Sequence, residues 1–252
     1  MLTVQIASDL HIEYKNDDVP NPLDFITPSA DVLILAGDIG SLYKIEQLTK
    51  FLEALCSHFQ VVLYVPGNHE WYIAPEYQPL DWETLEKRMY SIENIIPNLT
   101  ILNCSSVLIG NICFAGCTLW SKPEGKIPPF IVRIKDVRTK EYTFKHNEDL
   151  EYLKNMMSFC KKNNHKLLIV THYPPTKKVL DTSDRKKKKF HYLYGTDLDY
   201  LLDKNFVDTW VCGHVHKNFD FFSEKGCHVV GNQKGKDKDN IIDYKKDFIV
   251  NI

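Results

Sequence analysis

Five apolar runs of strand length in this chain each end on a cluster of polar side chains, and that coupling constrains the fold more than any other feature. In order, the clusters are Asp9-Leu10-His11, Gly37-Asp38, Gly67-Asn68-His69-Glu70, Thr171-His172 and Gly213-His214-Val215-His216. Residues 31–36, after a leading aspartate, and residues 60–65 are near-continuous apolar runs, as expected of strands covered on both faces. Between them, Ile45, Leu48, Leu52, Leu55 and Phe59 fall at helical spacing, which predicts an amphipathic helix over 44–59. Strand, loop, helix, strand is the pattern of a βαβ unit with a right-handed crossover. Ligands of open α/β sheets bind beyond the carboxyl ends of the strands. If these strands are neighbours, all five clusters meet at one edge. Gly37, Gly67 and Gly213 suit sharp turns and close backbone approach there.

The rest of the chain reads less uniformly. Residues 2–8 form a strand, and 16–28, with three prolines, form a loop. Residues 71–79 are aromatic and proline-rich, and a helix over 81–94 has Asp81 as its cap. Short strands follow at 99–102, 106–109 and 111–115, the last two joined by a hairpin turn at Gly110-Asn111. Residues 119–146 carry Pro123, Pro128 and Pro129 and read as an irregular insertion. Helical spacing returns over 147–162, with Leu150, Leu153, Met157 and Cys160 as its stripe. A strand over 167–170, a loop opened by Pro174-Pro175 and reaching residue 195, a short helix over 197–204 and a strand over 208–212 come next. Strands at 219–222, 227–230 and 247–252 close the chain. The expectation is one domain over 1–252, with 119–146 and 173–195 as irregular insertions near the site.

Bulk properties exclude several classes. With 252 residues, 44% of them hydrophobic, there is enough chain for a sizeable core. A net charge of −2 argues against a protein that coats nucleic acid. No apolar window approaches a membrane span, and the first residues lack the pattern of a signal peptide. The seven cysteines are scattered, with no Cys-x-x-Cys pair, which suits reduced thiols and a cytoplasmic protein. The run 185–189, one arginine and four lysines, reads as a solvated loop. A nuclear import signal or an anion-steering patch is the alternative.

The clusters together offer carboxylates, imidazoles and one carboxamide, a donor set that admits zinc, manganese or iron. Any one of them alone has a bland use: a hydrogen-bonded histidine, a capping aspartate. As an ordered set, Asp9-x-His11, Gly37-Asp38, Gly67-Asn68-His69-Glu70, His172 and Gly213-His214-x-His216 resemble the signature of the calcineurin-like metallophosphoesterases. Residues 6–11 and Val229-Val-Gly-Asn-Gln233 are also similar to a group of small phosphohydrolases. The resemblance implies a four-layer αββα sandwich of two mixed β-sheets flanked by helices, with a dimetal site at the carboxyl ends of the strands. One cation would be held by Asp9, His11, Asp38 and His216, the other by Asp38, Asn68, His172 and His214. Asp38 would bridge them, and a water held between the cations would attack phosphorus. Manganese is the first expectation, with iron or zinc as alternatives. His69 would face the phosphate and help the leaving oxygen depart. Glu70 would be a supporting carboxylate.

Substrate contacts are expected from Tyr72, Tyr173, Arg133 and Arg138. Phosphoprotein phosphatases of the family carry arginines after the second and third motifs. This chain has Ile39-Gly40-Ser41-Leu42 and Trp71-Tyr72-Ile73 there. The expected activity is therefore that of a phosphodiesterase or nucleotide-type phosphohydrolase acting on a phosphoester-containing small molecule or nucleotide. A nuclease acting on nucleic acid is the alternative, and a non-catalytic scaffold is the alternative of a different class. The sequence is silent on oligomeric state.

Overall fold

The computed structural model describes residues 2–15, 18–180 and 190–252, so the basic run 185–189 lies outside the described residues. Two mixed sheets form the centre. The first contains β1 (Thr3–Ala7), β2 (Val32–Ala36), β3 (Val61–Val65), β4 (Leu99–Ile101) and β11 (Ile249–Asn251), in the order β11-β1-β2-β3-β4. All of its pairings are parallel except β1 with β11. The second contains β5 (Ser105–Ile109), β6 (Ile112–Cys117), β7 (Lys166–Thr171), β8 (Thr209–Val211), β9 (Phe219–Phe222) and β10 (His228–Gly231), in the order β5-β6-β7-β8-β10-β9. Its inner pairs β6-β7, β7-β8 and β8-β10 are parallel, and both edge pairs are antiparallel.

The apolar runs are continuous because each central strand is covered on both faces. In β2, Val32, Ile34 and Ala36 point between the sheets, where they meet Phe114, Leu168, Val170, Val211 and Val230 of the second sheet. Leu33 and Leu35 point outward, into a core shared with α1 (Ile45–Cys56) and α2 (Trp82–Ile95). On the far side, Ala115, Ile169 and Trp210 pack with Leu153, Met157 and Cys160 of α3 (Thr139–Asn163). The layers are thus helix, sheet, sheet, helix. Leu48, Leu52 and Leu55 of α1 are completely buried, and each such leucine contributes about 1.5–3 kcal/mol of transfer free energy.

Two helices differ from expectation. α3 starts at Thr139, not at 147, because its first turns bury Tyr142, His146 and Asp149 rather than aliphatic residues. Those side chains find polar partners: Tyr142 Oη lies 3.1 Å from Ser121 Oγ, and Asp149 accepts from the Trp120 amide. A periodicity built from buried polar groups is invisible to a hydrophobic pattern. The helix expected over 197–204 is only a 3-10 turn, Asp199–Leu201. Residues 119–138 form neither helix nor strand. Among the described residues, no helix is long and apolar enough to cross a membrane.

Candidate metal centre

Asp9 and His11 follow β1, Asp38 follows β2, Asn68 and His69 follow β3, His172 follows β7, and His214 and His216 follow β8. These are parallel strands, so all the loops leave the two sheets at the same edge. The backbone there is bent hard. Asp9, His11, Asp38, His214 and His216 all have positive φ, between 51° and 74°. Non-glycine residues rarely adopt that region, and where they do the cost is of order 1–3 kcal/mol each. Glycines make the convergence feasible. A Cβ on Gly37 would lie 2.3 Å from His172 Nδ1, and one on Gly67 would lie 2.3 Å from Asp38 Oδ1.

Two sets of donors result. Asp9, His11, Asp38 and His216 present atoms within 4.8 Å of one another, as do Asp38, His172 and His214. Asp38 belongs to both. Its Oδ2 faces His11 Nε2 at 3.7 Å and its Oδ1 faces His172 Nε2 at 3.3 Å. Asn68 Oδ1 joins the second set, 3.0 Å from His172 Nε2.

The partners of each ring show what the sets lack. His172 Nδ1 lies 2.9 Å from the Ala36 carbonyl, to which it can only donate. Nε2 is then a bare lone pair aimed at Asp38 Oδ1, Asn68 Oδ1 and, at 3.1 Å, His214 Nδ1. In the first set, His11 Nδ1 donates to Glu13 (3.0 Å) and His216 Nδ1 to Asp239 (2.6 Å). Their Nε2 atoms face each other at 3.0 Å. Acceptors pointed at acceptors in a buried place require protons or cations between them, and carboxylates behind ligating imidazoles are a recurrent feature of metal centres. Without cations, protons fill the role: burial pulls His172 down, but Asp38 outweighs it and the ring is pushed up to about 9. His214, buried beside His172, is held well below the usual range, and its Nε2 has no hydrogen-bond partner among the described residues. The donor set fits divalent cations.

Supporting residues hold the loops. Glu70 accepts from the amides of Asp38 (3.1 Å), Ile39 (2.7 Å) and Gly67 (2.8 Å) and from Tyr64 Oη (2.6 Å), so it ties the β2 and β3 exits together. Asp9 accepts the His214 amide, and Gln233 accepts the His216 amide. Glu13 touches two rings through one oxygen: Oε1 is 3.0 Å from both His11 Nδ1 and His69 Nδ1. Burial raises its carboxyl, but the two imidazoles overcome this and hold it at about 2. Glu13, Gln233, Lys236 and Asp239 were not singled out as site residues by the sequence reading. The first lies two residues beyond a ligand-like histidine, Gln233 closes the 229–233 stretch that carries part of the resemblance, and Lys236 and Asp239 lie beyond it at no spacing that marks them.

A cavity of about 710 Å³ opens over this centre. Asp38, Asn68, His69, His214 and His216 form its floor, and Lys217, Lys236 and Lys238 also line it. Tyr72 and Tyr173 line it as well, although Tyr173 is almost fully buried and its ring packs on His214 at 4.0 Å. Arg133 lies beside the cavity: its guanidinium is over Tyr72, 5.3 Å from the ring centroid, in a side pocket with Glu13 and Tyr14 whose lining shares His69 and Tyr72 with the cavity. Arg138 caps α3, its amide donating to Glu141 at 3.0 Å. Neither arginine lines the main cavity.

Paired cation-ready donor sets under a polar cavity, on an αββα sandwich, define a class of metal-dependent hydrolases. The comparison with known sequences makes the class specific: residues 2–218 match the calcineurin-like phosphoesterases, and the chain belongs to that family. It is a dinuclear metal-dependent phosphoester hydrolase. An uncharacterized protein from Acanthamoeba polyphaga mimivirus is 28% identical, the alignment covering 93% of this chain and 91% of that one. Among solved structures, a phosphopantetheinyl hydrolase from Mycobacterium tuberculosis superposes with a TM-score of 0.72 at 16% identity, over 94% of this chain and 90% of the other. A dimetal phosphatase from Danio rerio gives 0.58 at 12% identity, over 91% and 86%.

Proposed function

We propose that the chain is a phosphodiesterase or nucleotide-type phosphohydrolase, with Asp9, His11, Asp38 and His216 holding one divalent cation and Asp38, Asn68, His172 and His214 the other. The observation that carries the ligand reading is the Asp38 carboxylate, whose two oxygens face two separate groups of bare imidazole nitrogens. A shared carboxylate offsets the repulsion between neighbouring cations. Manganese, iron and zinc all suit such mixed donors. Bound there, the cations would activate water and neutralise charge on the phosphate oxygens.

The residues of the chain do the rest. Glu13 fixes the His69 ring with Nδ1 as donor, so that Nε2 faces the cavity. Preference for a diester is supported by the cations that line the cavity. Among the described residues these are lysines, which act as point charges, and not arginines, which grip the two or three free oxygens of a monoester in bidentate fashion. Tyr72, Ile131, Val132 and Leu193 give another part of the lining an apolar character, which suits the organic arm of such a substrate. The seven free cysteines, six of them buried, support a reducing compartment such as the cytoplasm.

The test is hydrolysis of bis-p-nitrophenyl phosphate beside p-nitrophenyl phosphate by chelator-stripped protein, with and without added manganese. Manganese-dependent turnover that favours the diester is expected. A preference for the monoester would refute the diesterase reading, and inert protein that binds no metal would favour a scaffold.

A further inference from the structure

Among the described residues, Lys236 is the one cavity lysine whose ammonium meets a group of the proposed machinery. Its Nζ lies 3.3 Å from His69 Nε2. Since His69 Nδ1 is turned to Glu13, Nε2 is the acceptor and the ammonium donates to it. The loop that carries Lys236 is built onto the centre. The Lys236 amide donates to Asp239 Oδ2 at 2.8 Å, and the same oxygen accepts from His216 Nδ1. Tyr14 supports the side chain, its ring centroid 5.3 Å from Nζ. Neighbouring lysines are used differently: Lys15 and Lys234 both pair with Asp237, at 2.6 and 3.0 Å.

An ammonium has three protons to give, and a neutral imidazole nitrogen takes one of them. The other donors face a cavity whose substrate is an anion. We propose that Lys236 is a catalytic residue that hydrogen-bonds the leaving oxygen of the substrate beside His69. The proposal rests on the phosphodiesterase reading above. As the bond from phosphorus to the leaving arm breaks, its electron pair goes to the leaving oxygen. The Nζ–H donor carries that charge until a proton from solvent completes the alcohol. A fixed donor aimed at charge that develops only in the transition state acts on rate, and removal of one such donor costs about 10²–10³-fold.

A donor at the leaving oxygen matters most when that oxygen is a poor leaving group. The experiment therefore compares bis-p-nitrophenyl phosphate with diphenyl phosphate, which expels a more basic oxygen, for wild type, Lys236→Met and Lys236→Arg loaded with manganese. Bound metal is measured alongside. Lys236→Met is expected to keep its metal and to lose on the order of 10²-fold on diphenyl phosphate but less than about 10-fold on the nitrophenyl ester. Lys236→Arg should recover most of the loss. Equal losses on both esters, no loss on either, or loss of bound metal from Lys236→Met would overturn the proposal. Failure of the wild type on both esters would instead overturn the reading beneath it, and the proposal with it.

Discussion

Gly67→Ala is the sharpest test of how the loops are packed. A Cβ built on Gly67 lies 2.3 Å from Asp38 Oδ1, 2.5 Å from the Asp38 amide nitrogen and 2.8 Å from His172 Cε1. Ordinary contact begins at 3.4 Å, so Asp38 or the β3 exit must move by about 1.1 Å. Neither can yield cheaply. The Asp38 amide is bound to Glu70, Asp38 Oδ1 accepts the His69 amide at 2.8 Å, and Asp38 is only 1% exposed. A misplacement of about 1 Å at reacting groups costs about 10²-fold in rate. The variant should therefore fold, bind the second cation less tightly and turn over bis-p-nitrophenyl phosphate about 10²-fold more slowly. Assays are manganese titration followed by elemental analysis, and initial rates. Gly110→Ala is the control. It meets nothing within 4 Å and lies in the hairpin turn, so its positive φ of 61° should cost only about 1 kcal/mol of stability and leave turnover alone. Wild-type rates and full metal content in Gly67→Ala would refute the claim that the β2 and β3 exits are close-packed around Asp38.

Asp38→Ala should lose both cations, because it removes the oxygens facing each donor set; two tightly bound metals in that variant would contradict the bridging role. His69→Ala should keep metal and fold yet lose about 10²–10⁴-fold in rate, and unchanged turnover would remove His69 from the reaction. The metal-free protein should respond to pH through His172. A ring whose folded value is raised stabilises the fold fully below its unfolded value of 6.5, and that contribution is lost as pH rises through about 9. The difference corresponds to about 3 kcal/mol, to be read as falling chemical-denaturation stability of chelated protein between these pH values. Manganese-loaded protein should not show the decline.

How much of this was legible beforehand follows from where the information sits. Strands β2, β3 and β7 announce themselves because burial on both faces writes an unbroken apolar run, and the polar residues at their exits are adjacent in sequence. The centre could therefore be located from local patterns once the strands were taken as neighbours. The first turns of α3 could not be read, since Tyr142, His146 and Asp149 are buried by pairing with polar groups of Trp120 and Ser121, outside the helix. Glu13, Lys236 and Asp239 escaped for a similar reason: what makes them matter is which imidazole each faces, a tertiary fact. Arg133 and Arg138 were drawn to the site by charge alone. Arg133 sits over the Tyr72 ring, in a side pocket that also reaches His69, and the Arg138 backbone opens α3; neither place can be read from charge alone.

The wide sequence span of the centre bears on how the protein acquires its metal. The His11 and His216 rings that face each other are 205 residues apart, and the Asp239 carboxylate behind His216 comes later still. β1 waits for β11 to pair on one side, and Ser8 at its end bridges to Gln233. Contacts of such separation are closed late and slowly in folding. During synthesis Asp9, His11 and Asp38 emerge long before the histidines that complete either donor set, so a cation captured early would meet an incomplete shell and exchange freely. Tight capture belongs to the last stage, when the β8 exit and the 233–239 loop fold over the β1 exit. Metal identity is then selected by the finished cage and the cation supply at that moment, and refolding in a different metal buffer should change which ion the protein carries.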